Sequence, residues 1–176
     1  MSYRGVERIV THTVNRIEIE TEAPFEDLRT RFESEVPQLE TDRLQLMIAE
    51  GANWDEFVRA AAENGPHGFM IFWSTYPTST MQFAGSNSAS ATYLMGNYAI
   101  AARMFRHDPG VMLYAPLRLE MHSDRAAKTV LSVDQPSSHF SSFGVNKISQ
   151  VGFELDRQLG DLLEALDLPR PSVLRS

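Results

Sequence analysis

From Asn146 onward, Ile148, Val151, Leu155, Leu159, Leu162 and Leu166 recur every three or four residues. That spacing predicts one long amphipathic helix over residues 146–167, with a continuous apolar stripe that must be covered. The segments upstream offer the cover. Residues 9–20, 68–74, 91–96, 111–122 and 128–134 are short runs rich in β-branched or apolar types, each read as a strand. Ser123-Asp124-Arg125-Ala126 reads as a hairpin connection between the last two. The expected fold class is therefore α+β: an antiparallel sheet of about five strands backed by a long C-terminal helix.

Between the first two strands the pattern turns helical. Pro24 suits a first turn, and Phe25, Leu28, Phe32 and Val36 then share one face until Pro37 ends the helix. Thr41 opens a second helix carrying Leu44, Met47 and Ile48, with Gly51 as its stop. Asn53 followed by Glu56 is a capping-box start for a third, with Trp54, Phe57, Val58, Ala61 and Ala62 as its buried stripe. Residues 37–66 thus form an inserted helical segment after the first helix, too short to fold alone. Residues 75–90 read as a polar loop with a short strand near Met81 and Phe83, and residues 97–106 as a helix. All 176 residues are expected to form a single domain.

Several function classes are excluded or disfavoured. The chain has no cysteine, so disulfides, thiolate nucleophiles and cysteine-based zinc sites are absent. A net charge of −7 and only two lysines, Lys128 and Lys147, argue against a nucleic-acid partner. No run approaches the roughly 18 apolar residues of a membrane span, so no membrane partner is expected. The first residues lack the apolar segment of a secretory signal, which makes a cytoplasmic location the expectation. There is no Gly-x-Ser-x-Gly, no Gly-x-Gly-x-x-Gly and no phosphate-loop lysine. The five histidines, at 12, 67, 107, 122 and 139, form no His-x-His or His-x-x-x-His pair, so neither metal nor cofactor is expected from local spacing, and the alternative is a composite metal site from His107, His122, Glu120 and Asp134.

The candidate site lies in residues 93–136. Read as one strand, residues 111–122 alternate: Val111, Leu113, Ala115, Leu117, Leu119 and Met121 face the helix-covered side. Met112, Tyr114, Pro116, Arg118, Glu120 and His122 face the other. Arg118 suits an anionic or carbonyl group and Tyr114 can stack or donate, while Glu120 is a cross-strand partner or a ligand contact. Pro116 marks an edge or a bulge, because it cannot donate to the ladder. Asn97 is a helix N-cap or, with the free N–H groups behind it, an anion contact. Trp73 and Tyr93 carry polar handles suited to a pocket rim. His107, beside Asp108, and His122 are the candidate proton carriers. The leading expectation is a small-molecule ligand, apolar or aromatic, bound between sheet and helix. The alternatives are a cofactor-independent enzyme using general acid–base chemistry and a structural homodimeric module. Base rates for small proteins favour a homo-oligomer.

Residues 91–136 also resemble the core of the family catalogued as domain of unknown function 302. The matching residues are Met95-Gly96-Asn97-Tyr98, Ala115-Pro116-Leu117-Arg118, the Ser123-Asp124 turn and Asp134-Gln135-Pro136. Tyr98 stands where the family's turn has proline, the hairpin lacks its glycine, and residues 37–66 add helices. The resemblance implies a TATA-binding-protein-like arrangement of strand, helix, antiparallel strands and a long terminal helix across the sheet. It singles out Arg118 as a motif residue and implies no activity.

Overall fold

A computed structural model describes residues 3–175. The chain runs β1 (Arg16–Thr21), α1 (Phe25–Glu35), α2 (Thr41–Ala49), α3 (Trp54–Asn64), β2 (Met70–Thr75), α4 (Thr78–Gln82), β3 (Ser90–Gly96), α5 (Tyr98–Phe105), β4 (Leu117–Ser123), β5 (Thr129–Asp134), α6 (Pro136–Phe140) and α7 (Asn146–Ala165). Short 3-10 turns occupy Pro109–Leu113, Ser141–Phe143 and Ser172–Leu174. The five strands form one antiparallel sheet in the order β1-β5-β4-β3-β2.

Alternation along the strands gives the sheet two unlike faces. Ile17, Ile19, Tyr93, Met95, Leu119, Met121, Leu131 and Val133 point one way and are buried. The stripe of α7, from Ile148 through Leu162, packs in the same core, joined by Leu28 and Phe32 of α1. Burying each such side chain contributes roughly 1.5–3 kcal/mol, which is what makes the long helix stable. The residues between them, including Thr92, Leu94, Arg118, Glu120, His122 and Ser132, form a face that is half-buried or exposed.

The inserted helices form where the sequence implies, but their apolar faces stay largely open: Ile48, Trp54 and Val58 are exposed, and of the α3 stripe only Ala61 is buried. Asn53 Oδ1 accepts from the Glu56 N–H at 3.0 Å, and the Glu56 carboxylate accepts from the Asn53 N–H at 2.9 Å, a complete capping box. Gly51 ends α2 at φ 72°. The link from α1 to α2 then touches the sheet. The Ile71 N–H donates to Pro37 O, and the Leu39 N–H donates to Ile71 O, both at 2.9 Å.

Four expectations need correction. First, β1 begins at Arg16 rather than residue 9; the parity change between Val14 and Ile17 marks the strand's entry. Second, residues 109–113 form a 3-10 turn instead of the first half of a strand. Asp108 Oδ1 accepts from the Gly110 N–H at 2.7 Å, and the Asp-Pro-Gly turn overrides the apolar alternation of Val111, Leu113 and Ala115. Leu113 is consequently 77% exposed. Third, Pro116 marks no edge: it immediately precedes β4, the central strand, where a missing donor costs no ladder bond. Fourth, the strand near Met81 is the short helix α4, and Pro136 opens the unforeseen helix α6.

Glu33 fastens α1 to the sheet. It accepts from the Tyr93 and Tyr76 hydroxyls at 2.8 Å and pairs with Arg29 at 3.0 Å. Burial opposes its charge, but these bonds outweigh that and hold the carboxyl below its ordinary value near 4.5. Burial and the bond to Glu33 in turn push the Tyr93 phenol up. A depressed carboxyl binds fewer protons in the folded protein than in the unfolded chain. Its stabilisation is therefore full above the ordinary range and is lost as pH falls through the folded value. The melting temperature is expected to drop on acidification below about pH 4.5, and less steeply in Glu33→Gln. Equal slopes in the two proteins would refute the assignment.

Candidate functional site

Arg118 is the second residue of β4 and lies on the uncovered face of the sheet. Tyr114 closes the 3-10 turn just before it. On the neighbouring side, β5 ends at Asp134 and α6 folds back directly, bringing His139 over Tyr114. The two rings stack, with centroids 4.3 Å apart and planes 19° from parallel, and Phe143 meets Tyr114 edge-on at 6.1 Å. His139 Nε2 lies 3.1 Å from Asp134 Oδ2. A carboxylate only accepts, so this contact places the imidazole proton on Nε2.

All of these side chains except Phe143 line a hollow of about 380 Å³. Arg118, Tyr114, Asp134 and His139 supply its polar groups, and Leu94, Met112, Pro116 and Leu117 its apolar wall. Among the described residues Arg118 makes no hydrogen bond or ion pair, whereas Asp134 is engaged by His139. The hollow thus presents an unpartnered cation at one point and a carboxylate–imidazole pair at another. A second recess lies under α5, against Phe72, Asn97 and Tyr98, but at about 20 Å³ it has room for a single water.

The expected site residues divide into groups. Arg118 and Tyr114 share the hollow, although Tyr114 reaches it through the 3-10 turn and not by strand alternation. Trp73 lies in the same cross-sheet row as Leu94 and Arg118, two strands away from the arginine, roughly 10 Å. Glu120 accepts from the Ser90 hydroxyl at 2.6 Å and the Thr92 hydroxyl at 2.5 Å, which commits it to the sheet surface. His122 sits four residues along β4 from Arg118, roughly 13 Å away. Asn97 caps α5, accepting from the Ala99 N–H at 2.9 Å. Tyr93 is fully buried on the opposite face, bonded to Glu33. His107 is exposed at the end of α5 and does not line the hollow.

Asp134 and His139 were legible only in part. Parity along residues 128–134 places Asp134 on the face of Arg118, but His139 lies on a helix with no periodic signature. His12 also joins the cluster. Its ring meets Tyr114 at 5.9 Å and His139 at 5.6 Å, both edge-on. Nothing local in the sequence connects positions 12 and 139.

The family model described as Domain of unknown function DUF302 matches residues 51–166, a span that includes Arg118, Tyr114, Asp134 and His139. The crystal structure of an uncharacterized conserved DUF302 protein from Bacillus stearothermophilus is similar, with a TM-score of 0.60 and 13% identity over 86% of this chain and 97% of that one. At that identity the likeness bears on the fold alone. No curated protein matches the chain.

Proposed function

Since the chain belongs to the DUF302 family, whose description names no activity, we propose from the hollow itself that the protein binds a small organic anion with an apolar or aromatic body. The charged end pairs with Arg118, and the body lies against Leu94, Met112 and Pro116 beside the Tyr114–His139 stack. The observation that carries this reading is the Arg118 guanidinium, which lines a concave surface and has no partner among the described residues. Arginine offers a planar fork of donors matched to carboxylates and phosphates. The volume suits a ligand of modest size.

The test is a thermal-shift screen with aromatic and aliphatic carboxylates and their phosphate counterparts. A ligand at a hundred times its dissociation constant stabilises by about 2.7 kcal/mol, or about 5–10 °C for a chain of this length. Arg118→Ala is expected to abolish that shift while leaving the unliganded melting temperature nearly unchanged. Shifts that persist in the variant would remove the basis of the proposal. A second reading, proton transfer on the bound molecule, is favoured by the Asp134–His139 contact. It requires turnover that is lost in His139→Gln while binding survives.

A further inference from the structure

Among the described residues, no three histidine, aspartate or glutamate side chains converge as a closed metal cage. Two imidazoles nevertheless face each other nitrogen to nitrogen. His12 Nε2 stands 3.4 Å from His139 Nδ1. As a hydrogen bond between neutral rings this is long. As the span between two ligands of one ion it is ordinary: nitrogens about 2.0–2.1 Å from a tetrahedral zinc ion lie about 3.4 Å apart. We propose that His12 and His139 form a two-imidazole site for a borderline divalent cation of the zinc, nickel or copper class.

Three further features fit a metal ligand pair. Asp134 accepts at the far nitrogen of His139, leaving a lone pair on the Nδ1 that faces His12. A carboxylate behind a ligating histidine fixes its tautomer and raises its basicity. Ring orientation is set by packing, through the Tyr114 stack on His139 and the edge contact of Tyr114 with His12. His12 is also tethered. Three residues later the Asn15 amide donates to Gln135 Oε1, and the Gln135 N–H donates to Asn15 O, both at 2.8 Å. The pair is joined across 127 residues of sequence, so neither motif nor spacing announces it. Two protein ligands leave the other positions to water or to an oxygen donor, and imidazole suits zinc, nickel and copper over magnesium or calcium. The proposal rests on these rings alone and stands whether or not the hollow accepts an organic anion.

The experiment uses tag-free, chelator-treated protein titrated with Zn²⁺ by calorimetry in a non-coordinating buffer. One ion per chain is expected. His12→Ala and His139→Ala are each expected to weaken binding at least tenfold, and Asp134→Asn about tenfold with both rings retained. His107→Ala, on an exposed residue outside the cluster, serves as the unaffected control. With Cu²⁺, electron paramagnetic resonance is expected to show coupling to two imidazole nitrogens, reduced to one in His12→Ala. Unchanged affinity in His12→Ala, or a copper signal without imidazole coupling, would overturn the proposal. Circular dichroism on each variant separates lost ligands from lost fold.

Discussion

Asp156→Ala is expected to lower the unfolding free energy by about 3 kcal/mol, the cost of stripping partners from buried donors. Asp156 sits on α7, fully buried. Its carboxylate accepts from the Ser137 N–H at 2.9 Å, the Ser137 hydroxyl at 2.6 Å and the Gln135 amide at 2.7 Å. The Ser137 N–H lies in the first turn of α6, so an aspartate from another helix does the work of a local N-cap. Asp156→Asn keeps one acceptor and is expected to cost about 1 kcal/mol. Chemical denaturation measures both. Equal losses in the two variants, or an alanine cost below about 0.5 kcal/mol, would show that the carboxylate is not the fastening.

The second large effect falls on the same junction. Gly152 of α7 faces α6 so closely that an added Cβ would sit 3.0 Å from Ser137 Cα and 3.1 Å from Phe140 Cβ. Neither atom is the free end of a flexible chain, so the helices must part. Gly152→Val is expected to destabilise by about 2–3 kcal/mol, as overpacked cores do. Gly152→Ala is expected to cost less, because alanine recovers up to about 1 kcal/mol of helix propensity. A valine variant as stable as the parent would mean that α6 can shift freely. Because both substitutions act on Ser137, their effects should not add, and a double-mutant cycle would show the coupling. His139 rides on α6, so either change is also expected to move its imidazole resonances.

The longer helices and the core were the legible part of this chain. The α7 stripe and the Asn53–Glu56 box carry their instructions within a few residues, and the structure uses them as written. The errors arose where apolar alternation met a turn. Val111, Leu113 and Ala115 have strand periodicity, but Asp108-Pro109-Gly110 commits the backbone to a 3-10 turn first. The hollow was partly visible, because Arg118 lies on a true strand and parity fixes its face. The meeting of His139 with His12 has no sequence signal, because their positions depend on the return of α6 and on a segment without regular structure. Those are tertiary facts that no local pattern encodes.

The bonds that tie Pro37 and Leu39 to Ile71 bear on how the protein behaves at high concentration. A sheet terminates at its two outermost strands, and unpaired strands there recruit copies of themselves. On β2 a neighbouring molecule would find the Ile71 amide and carbonyl already taken. On β1 it would meet the charges of Arg16, Glu18 and Glu20. Strand addition is thereby hindered at both outer strands, and fibril formation in concentrated solution is expected to be slow.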